Sequence, residues 1–481
     1  MAKLVVQDTK LLLAKAMTAR ENVSVFITVF VFTLLLGIFV RQLLLPYLLP
    51  GLHAGLGFMT GDSIGYHEFA AEIAKRIRSE GWGVWRLRPG SDIFVLAAPS
   101  GIASAIYATF GTNPLLLLPF NAAVHAASAV LLLGMLQALF QNKKNSFIAT
   151  LPFILFPTAI SWHSQLLKDG IFILGIYAYL ASWIMAAKLN LPSARRLPVA
   201  FLLASMGLVV IWAVRPYMLA ILASTTIVLG VFLIFWTIAQ RRNTENYMLR
   251  IVEIALLAGC LLAVGYGINK SDTRPGMSQW TGQELKNSVY VGRPLGNSVA
   301  VGGSTIDEAG ARRCKGWTDS PAIPAALSRL TSKIVIVRGG YYDEVYAGAG
   351  STIDREVCIT SFYDLVAYLP RAVQVGLLAP FPDQWVKSDS HGGGASRMIV
   401  GLEMMLSYLA LFALICYGRR FFNRPEFWML LGFGVSMVVL YALVTPNLGA
   451  LHRMRYGFLM LLVGMGVGAV LQRYRALKAL A

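Results

Sequence analysis

The sequence predicts an all-α, polytopic membrane protein with about ten transmembrane helices. Its 481 residues are 56% hydrophobic and only 14% charged, with a mean hydropathy of +0.61, whereas a soluble globular protein carries about 25% charged residues. Apolar stretches long enough to cross a bilayer recur along the whole chain. Basic residues concentrate in the short segments between them. These observations exclude an ordinary soluble enzyme, a disordered chain and a coiled coil.

The net charge of +18 reflects topology. Lys and Arg outnumber Asp and Glu by 18 to 4 in the tails and short turns that we expect inside, but the segment 269–394 carries 13 basic and 12 acidic residues. This asymmetry is the positive-inside bias of membrane proteins. We therefore expect membrane lipids around the chain and no nucleic-acid partner.

The basic turns arrange the apolar stretches into ten spans with both termini inside. The tail 1–21 precedes an apolar run that is too long for a cleavable signal peptide. The turns expected inside are 141–145, 188–196, 241–242 and 419–420. The predicted spans are 23–45, 114–140, 147–160, 170–187, 199–214, 218–238, 251–268, 398–417, 427–444 and 457–471.

Two outer segments divide the chain into three units. The first outer loop, 46–113, contains the ambiguous stretch 92–111, which we interpret as a membrane-surface or re-entrant helix. Counting this stretch as a span would reverse the side of every later basic turn. The second outer segment, 269–396, forms a loop domain between an N-terminal membrane module, 1–268, and a C-terminal module, 397–481.

Two of the four cysteines, Cys314 and Cys358, fall in the segment 269–396. Such a pair in a periplasmic or extracellular setting often forms a disulfide, and the alternative is two reduced thiols. A bond would close a loop of roughly 45 residues and stabilise the loop domain by roughly 3–4 kcal/mol on chain-entropy grounds.

Polar residues in unusual settings collect on the outer side of this topology. Ionisable residues at membrane ends are costly unless they face a cavity or pair, so their gathering predicts a functional site. The alternative is that they are interfacial anchors and solvated loop charges. The candidates are Asp62, Tyr66, His67, His163, Lys168, Asp169, Arg215, Tyr217, His452, Arg453 and Arg455.

These residue types suit group transfer from a phosphate-linked lipid. A carboxylate just above the membrane can act as general base toward a hydroxyl. Paired arginines match a phosphate and stay charged at every physiological pH, which points to Arg453, Arg455 and His452 at the mouth of the last span. Arg41 lies near the outer end of the first span, where it either joins this phosphate site or snorkels to the headgroups.

The long loop contributes a second candidate surface at Tyr342, Asp343 and Glu344. Aromatic rings stack on the apolar faces of sugars while carboxylates bind their hydroxyls. The alternative is a packed loop with solvated acids. We expect these residues to bind substrate.

Several short motifs resemble those of the GT-C superfamily of integral-membrane glycosyltransferases, which includes bacterial lipid A aminoarabinose transferases and protein O-mannosyltransferases. The resemblance covers most of residues 20–190 and 360–471. The motifs are Gly61-Asp62 with Tyr66 and 69–74, 110–113 leading into 120–122, Leu155-Phe156-Pro157 followed by Asp169, and 447–449 followed by 453–456.

The resemblance implies that Asp62 is the catalytic base or a metal ligand, and Asp169 is a second candidate catalytic residue. Many members carry two adjacent acidic residues where this chain has Asp62-Ser63, so a divalent metal is an open expectation and no cofactor is certain. Asp169, His163 or Lys168 would orient the acceptor or complete a metal site. The donor would be a polyprenyl-phosphate-linked sugar, and the acceptor a glycan, glycolipid or protein.

We therefore expect a bacterial inner-membrane glycosyltransferase whose active site faces the periplasm. The nearest alternative is a polysaccharide polymerase or O-antigen ligase, which uses a lipid diphosphate donor and relies on Arg and His without an essential first-loop Asp. A lipid-linked-sugar flippase is the alternative from another class. Transporters tend to show repeated halves and broken helices near the midplane, and this sequence shows no repeat.

Overall fold

The computed structural model describes residues 19–59, 61–89, 98–187, 193–240, 247–271, 317–318, 320–339, 341, 351–354, 357–385 and 394–478. Within these ranges the protein is helical, and its only β pairing is an isolated bridge between Thr352 and Asn447. Nine of the described helices are long and apolar enough to cross a membrane. The chain is a multi-pass membrane protein.

The described residues form sixteen α-helices, numbered here in chain order. They are α1 Ala19–Phe39, α2 Gly61–Glu80, α3 Ala98–Phe110, α4 Leu118–Phe140, α5 Lys143–Leu155, α6 Pro157–His163, α7 Asp169–Ala187, α8 Ser193–Val214, α9 Met218–Ala239, α10 Tyr247–Ser271, α11 Ala325–Gly339, α12 Phe362–Leu378, α13 Pro382–Trp385, α14 Gly394–Tyr417, α15 Pro425–Val444 and α16 Leu448–Lys478. Helix α1 continues into the π-helical segment Val40–Leu48, and a short 3-10 turn, Pro114–Leu117, leads into α4.

Nine of the ten predicted spans correspond to helices of spanning length, but two predictions need correction. The predicted span 147–160 is two helices, α5 and α6, because Pro157 lacks an amide donor and disfavours helical backbone at the residue before it. Phe156 accordingly adopts extended backbone between them. The last helix begins at Leu448, nine residues earlier than predicted, which places the 452–455 motif inside α16.

The first loop contains two helices that pack on each other, α2 and α3. Small residues at their contact, Ala70, Ala74 and Ala103, surround the buried ring of Tyr107. With 13 residues, α3 is roughly 20 Å long and too short to cross the hydrocarbon core. The structure describes only 98–111 of the stretch 92–111 and has a short helix there, so the interpretation as a membrane-surface or re-entrant helix stays a prediction.

Close packing of α7 against α8 and α16 brings the ends of these three helices together. Gly175 of α7 and Gly207 of α8 face each other so closely that a Cβ at Gly207 would lie 2.7 Å from the Gly175 carbonyl oxygen. Small residues allow such backbone approach in membrane helices. On the other side of α7, Tyr177 donates to the Gly457 carbonyl of α16 at 2.6 Å. The starts of α7 and α16 consequently lie beside the end of α8.

The basic turn after α4 lies at the other end of the bundle. Lys143 pairs with Glu21 at 2.9 Å, Arg424 donates to the Leu139 carbonyl, and Gln472 donates to the Phe140 carbonyl. Gln472 is 19 residues beyond Arg453 on α16, roughly 28 Å along the helix axis. The predicted separation of the basic turn from the acidic residues thus matches two opposite bundle ends.

Candidate functional site

Four charged side chains meet at one end of the bundle. Arg453 Nη2 donates to Asp62 Oδ2 at 3.1 Å, and Arg453 Nε lies 3.2 Å from Asp169 Oδ2. Arg215 Nη2 donates to Asp169 Oδ1 at 2.5 Å. These residues form one series of alternating charges, Asp62–Arg453–Asp169–Arg215, called the ionic chain below.

The local sequence explains why both acids sit at this end. Asp62 lies in the first turn of α2, and Asp169 is the first residue of α7. A carboxylate at a helix N-terminus interacts favourably with the positive end of the helix dipole. Exposure separates their roles, since the Asp62 side chain is 57% exposed and that of Asp169 only 7%. Within the ionic chain, Asp62 is therefore the carboxylate that a ligand can reach.

Aromatic groups and a lysine complete the surroundings of the ionic chain. Arg215 donates to the Tyr441 hydroxyl at 2.7 Å and lies over the Phe172 ring. The Lys168 ammonium lies 5.5 Å from the centre of the Tyr66 ring. Burial raises the pKa of Tyr66, and the nearby charges of Asp62 and Asp169 add to this effect, so its phenol stays neutral.

Lys168 has an unusually acidic ammonium group. Burial lowers the pKa of Lys168 to about 8, and the positive charge of Arg215 adds to the shift, whereas Asp169 and Asp62 oppose it. Because a lysine ammonium is strongly hydrated in water, loss of that hydration favours the neutral amine. Lys168 is thus a cation at neutral pH that a small rise in pH would discharge.

Arg455 lies elsewhere, which corrects its predicted role in phosphate binding. Its side chain is 0% exposed, and its guanidinium donates to the carbonyls of Val375, Gly376 and Ala379 at the end of α12. The last carbonyls of a helix have no intrahelical partner and carry the negative end of its dipole. Arg455 supplies those missing donors and is a structural residue.

Arg41 and His67 also have structural positions rather than positions in the ionic chain. Arg41 is buried over the Phe58 ring and donates to the carbonyls of Leu56 at 3.1 Å and Pro114 at 2.9 Å. His67 Nδ1 lies 2.9 Å from the Tyr107 hydroxyl. Burial lowers the pKa of His67, and the charge of Arg41 adds to the shift. Arg41 thus holds the first loop and the turn before α4 against the continuation of α1, and His67 joins α2 to α3 within the loop.

A second polar cluster centres on Glu403 of α14, which sequence reasoning missed. Its two carboxylate oxygens accept from the Thr158 amide at 2.8 Å and the Thr158 hydroxyl at 2.6 Å, which anchors α6 after the helix break. His452 Nε2 lies 3.7 Å from the same carboxylate, with the Trp162 ring against it. A single acid within an apolar span was the available signal.

Two other predicted residues flank these clusters. The His163 ring is tilted against the His125 ring with centres 4.0 Å apart, and it lies beside the backbone of Gly170, the residue after Asp169. Tyr217, partly exposed, caps the start of α9 two residues after Arg215. The structure therefore brings Tyr217 near the site and leaves His163 in the core.

The long loop reaches the site through residues 351–354. Ile353 donates to the Pro446 carbonyl at 2.8 Å, and Leu448 donates to the Ser351 carbonyl at 2.9 Å, directly before α16 begins. Asp354 accepts from Arg371 at 2.9 Å and from Tyr368 at 2.8 Å. The loop thus braces the start of the helix that carries Arg453.

The remaining candidates of the long loop fall partly outside the residues that the structure describes. Tyr342, Asp343, Glu344 and Cys314 lie outside the described residues, so their roles stay predictions. Cys358 is disulfide-bonded, and Cys260 and Cys416 are free thiols. The pairing of Cys314 with Cys358 also stays a prediction.

The ionic chain does not fit a divalent cation. Each of its carboxylates already pairs with an arginine. Across the described ranges, no three His, Cys, Asp or Glu side chains converge as candidate metal ligands. His163, a nitrogen ligand expected from the sequence, lies against the His125 ring.

Comparison of the chain with protein-family models, with curated proteins and with solved structures gives no match.

Proposed function

We propose that the protein is a bacterial inner-membrane glycosyltransferase that moves a sugar from a polyprenyl-phosphate donor to a hydroxyl of a glycan, lipid or protein acceptor. Both termini lie in the cytoplasm, and transfer takes place at the periplasmic face. The observation that carries this proposal is an accessible carboxylate, Asp62, next to a group of cations at the end of the spanning helices. A base beside an anion-binding surface at headgroup depth suits a lipid phosphate donor.

The transfer is a direct displacement at the anomeric carbon. The acceptor oxygen forms a bond to that carbon while the bond from the carbon to the phosphate oxygen breaks, and its electron pair stays on the phosphate. Asp62 takes the proton of the acceptor hydroxyl. The departing polyprenyl phosphate gains negative charge, and fixed cations that meet this charge stabilise the transition state.

Lys168 and Arg453 are the cations available to the leaving phosphate. Arg215 is 4% exposed and engaged by Asp169 and Tyr441, and Arg455 is enclosed by carbonyls. The Lys168 ammonium, by contrast, makes no hydrogen bond or ion pair with another side chain in the described residues, and it lies 5.5 Å from the centre of the Tyr66 ring. Tyr66 and Tyr217 lie close enough to the site to contact the sugar or acceptor.

The test is transfer of a radiolabelled sugar from polyprenyl phosphate by purified protein in nanodiscs. Asp62→Asn keeps the shape and removes the basicity, so it should lower kcat by about 10²-fold or more while donor affinity persists. Glu72→Gln, which changes an exposed acid on the same helix, is the matched control and should keep full activity.

Retained activity in Asp62→Asn would contradict the proposal. It would favour a polysaccharide polymerase or ligase that uses a lipid diphosphate donor without a first-loop base. Movement of labelled lipid-linked sugar across the bilayer without transfer would favour a flippase instead.

A further inference from the structure

We propose that Arg453 takes the place of a divalent cation between Asp62 and Asp169, so that the site is an arginine-based counterpart of a two-carboxylate metal centre. The inference deepens the proposed glycosyl transfer and rests on it for its catalytic meaning. Its structural part, the equivalence of a guanidinium and a metal ion, can be tested without any substrate.

The first support is that one guanidinium bridges two carboxylates from separate helices. Arg453 Nη2 contacts Asp62 Oδ2 at 3.1 Å, and Nε of the same group lies 3.2 Å from Asp169 Oδ2. An arginine often directs two nitrogens at a single carboxylate. Here Nη2 donates a hydrogen bond to one acid and Nε makes an ion pair, without hydrogen-bond geometry, with the other, so the guanidinium bridges the two acids as a cation.

The second support is the charge balance. Asp62 and Asp169 carry two negative charges, and Arg453 and Arg215 carry two positive charges, so the acids are neutralised without a metal. Magnesium commonly binds through one or two protein carboxylates together with substrate phosphates. Two carboxylates beside a phosphate would therefore suffice for such an ion if the arginine were absent.

The third support is the way Arg453 is held. Its helix is fixed to α7 by the bond from Tyr177 to the Gly457 carbonyl, and its first turn is braced by residues 351–354. Arg453 Nη1 has no hydrogen-bond partner in the part of the chain that the structure describes. That nitrogen is left for the donor phosphate, which is the third ligand that a bridging metal ion would bind.

The experiment removes the guanidinium and offers a metal ion. Arg453→Ala, Arg453→Gln and the unaltered protein are purified in detergent with EDTA, checked for folding by thermal unfolding, and titrated with Mn²⁺ followed by electron paramagnetic resonance. We expect Arg453→Ala and Arg453→Gln to bind one Mn²⁺ per chain, and the unaltered protein to bind none. Adding Asp62→Asn to either variant should weaken Mn²⁺ binding by about tenfold or more, since a ligand is lost.

The activity arm uses the same proteins. EDTA should leave transfer by the unaltered protein unchanged, whereas Arg453→Ala should lose transfer and recover part of it on addition of Mn²⁺ or Mg²⁺. Folded variants that bind no Mn²⁺ would overturn the inference, as would an unaltered protein that EDTA inactivates and a divalent ion restores.

The two proposals fail in distinguishable ways. If the unaltered protein transfers no sugar but only the Arg453 variants bind Mn²⁺, the arginine-for-metal inference stands and the glycosyltransferase proposal fails. If sugar transfer depends on Asp62 but no variant binds Mn²⁺, the glycosyltransferase proposal stands and the arginine-for-metal inference fails.

Discussion

Arg453 and Arg455 stand two residues apart on α16, yet they have opposite environments. Successive helical residues are turned by about 100°, so these side chains point about 200° apart. Arg453 is 17% exposed and contacts the carboxylates of Asp62 and Asp169. Arg455 is fully buried and donates its hydrogen bonds to neutral carbonyls and to the Met404 sulfur. One arginine serves the site, and the other serves the fold.

The difference teaches that the partner decides what a buried arginine does. Helix α12 ends inside the bundle, where the Gly376 backbone packs against Val438 of α15. Carbonyls at such an end have no water to bind, so a cation with several donors must supply their hydrogen bonds. Of the two carboxylates that contact Arg453, Asp62 is instead open to a ligand, with 57% of its side chain exposed. A pair of arginines in a motif can therefore combine one structural and one functional residue.

The largest expected effect comes from truncating the structural arginine. Arg455→Met leaves the buried carbonyls of Gly376 and Ala379 without the guanidinium donors, while the Val375 carbonyl keeps the Ala379 amide, and each such loss costs about 1–3 kcal/mol. We expect the variant to lose most of its folded yield or to unfold at a much lower temperature in detergent. Arg453→Met should keep its unfolding temperature within a few degrees and lose transfer activity. Thermal unfolding followed by intrinsic fluorescence measures both.

The opposite pair of results would contradict the assignment of Arg455 to the fold and Arg453 to the site. A stable, inactive Arg455→Met together with an unfolded Arg453→Met would mean that the assignment of the two residues is reversed. Arg455→Lys offers an intermediate point, since a lysine has fewer donors in a different geometry.

Much of the fold could be predicted from the sequence. Nine spans follow from uninterrupted apolar runs, and the gathering of Asp62, Asp169, Arg215 and Arg453 follows because the first outer loop and the outer ends of three spans lie on the same side of the predicted topology. The break before Pro157 had a signal in the proline itself, but hydropathy alone favoured one continuous helix.

The remaining features of the site depend on how α16 is rotated about its axis and on which helices pack against it. The different fates of Arg453 and Arg455 follow from where α16 begins and which face meets α12, and neither is encoded in a short motif. Glu403 could have been found as the lone acid of its span. Tyr441 had no distinguishing signal, because tyrosines near span ends are common membrane-interface residues.

The second expected effect is smaller and concerns the pH dependence of donor affinity, which should depend on Lys168 and not on the buried Arg455. Since the pKa of Lys168 is lowered to about 8, its ammonium is charged below that pH and neutral above it. Donor affinity should therefore fall as pH rises through about 8, by roughly 10- to 100-fold for loss of a charged partner to phosphate. Lys168→Arg should move the fall to higher pH because arginine stays protonated. The KM for donor, measured from pH 6.5 to 9.5, checks this.

If the KM for donor in the unaltered protein did not change with pH, Lys168 would not be a ligand of the donor phosphate. Lys168→Met supplies the matched control, since it should show weak donor binding at every pH. Arg455→Lys, if folded, should leave the pH profile of the KM unchanged because its position faces α12.

The smallest expected effect concerns Tyr408 of α14, which, like Arg455, donates to backbone carbonyls near the end of α12. Its hydroxyl donates to the carbonyls of Leu378 and Pro380, next to those bound by Arg455. Tyr408→Phe removes one donor and should lower stability by about 0.5–1.5 kcal/mol. Residues in one network couple, whereas separated sites add. Tyr408→Phe should therefore be non-additive with Arg455→Lys and additive with Arg453→Lys in denaturant titrations. Equal coupling to both arginines would mean that the two faces of α16 are not independent, and that the division between a fold arginine and a site arginine is wrong.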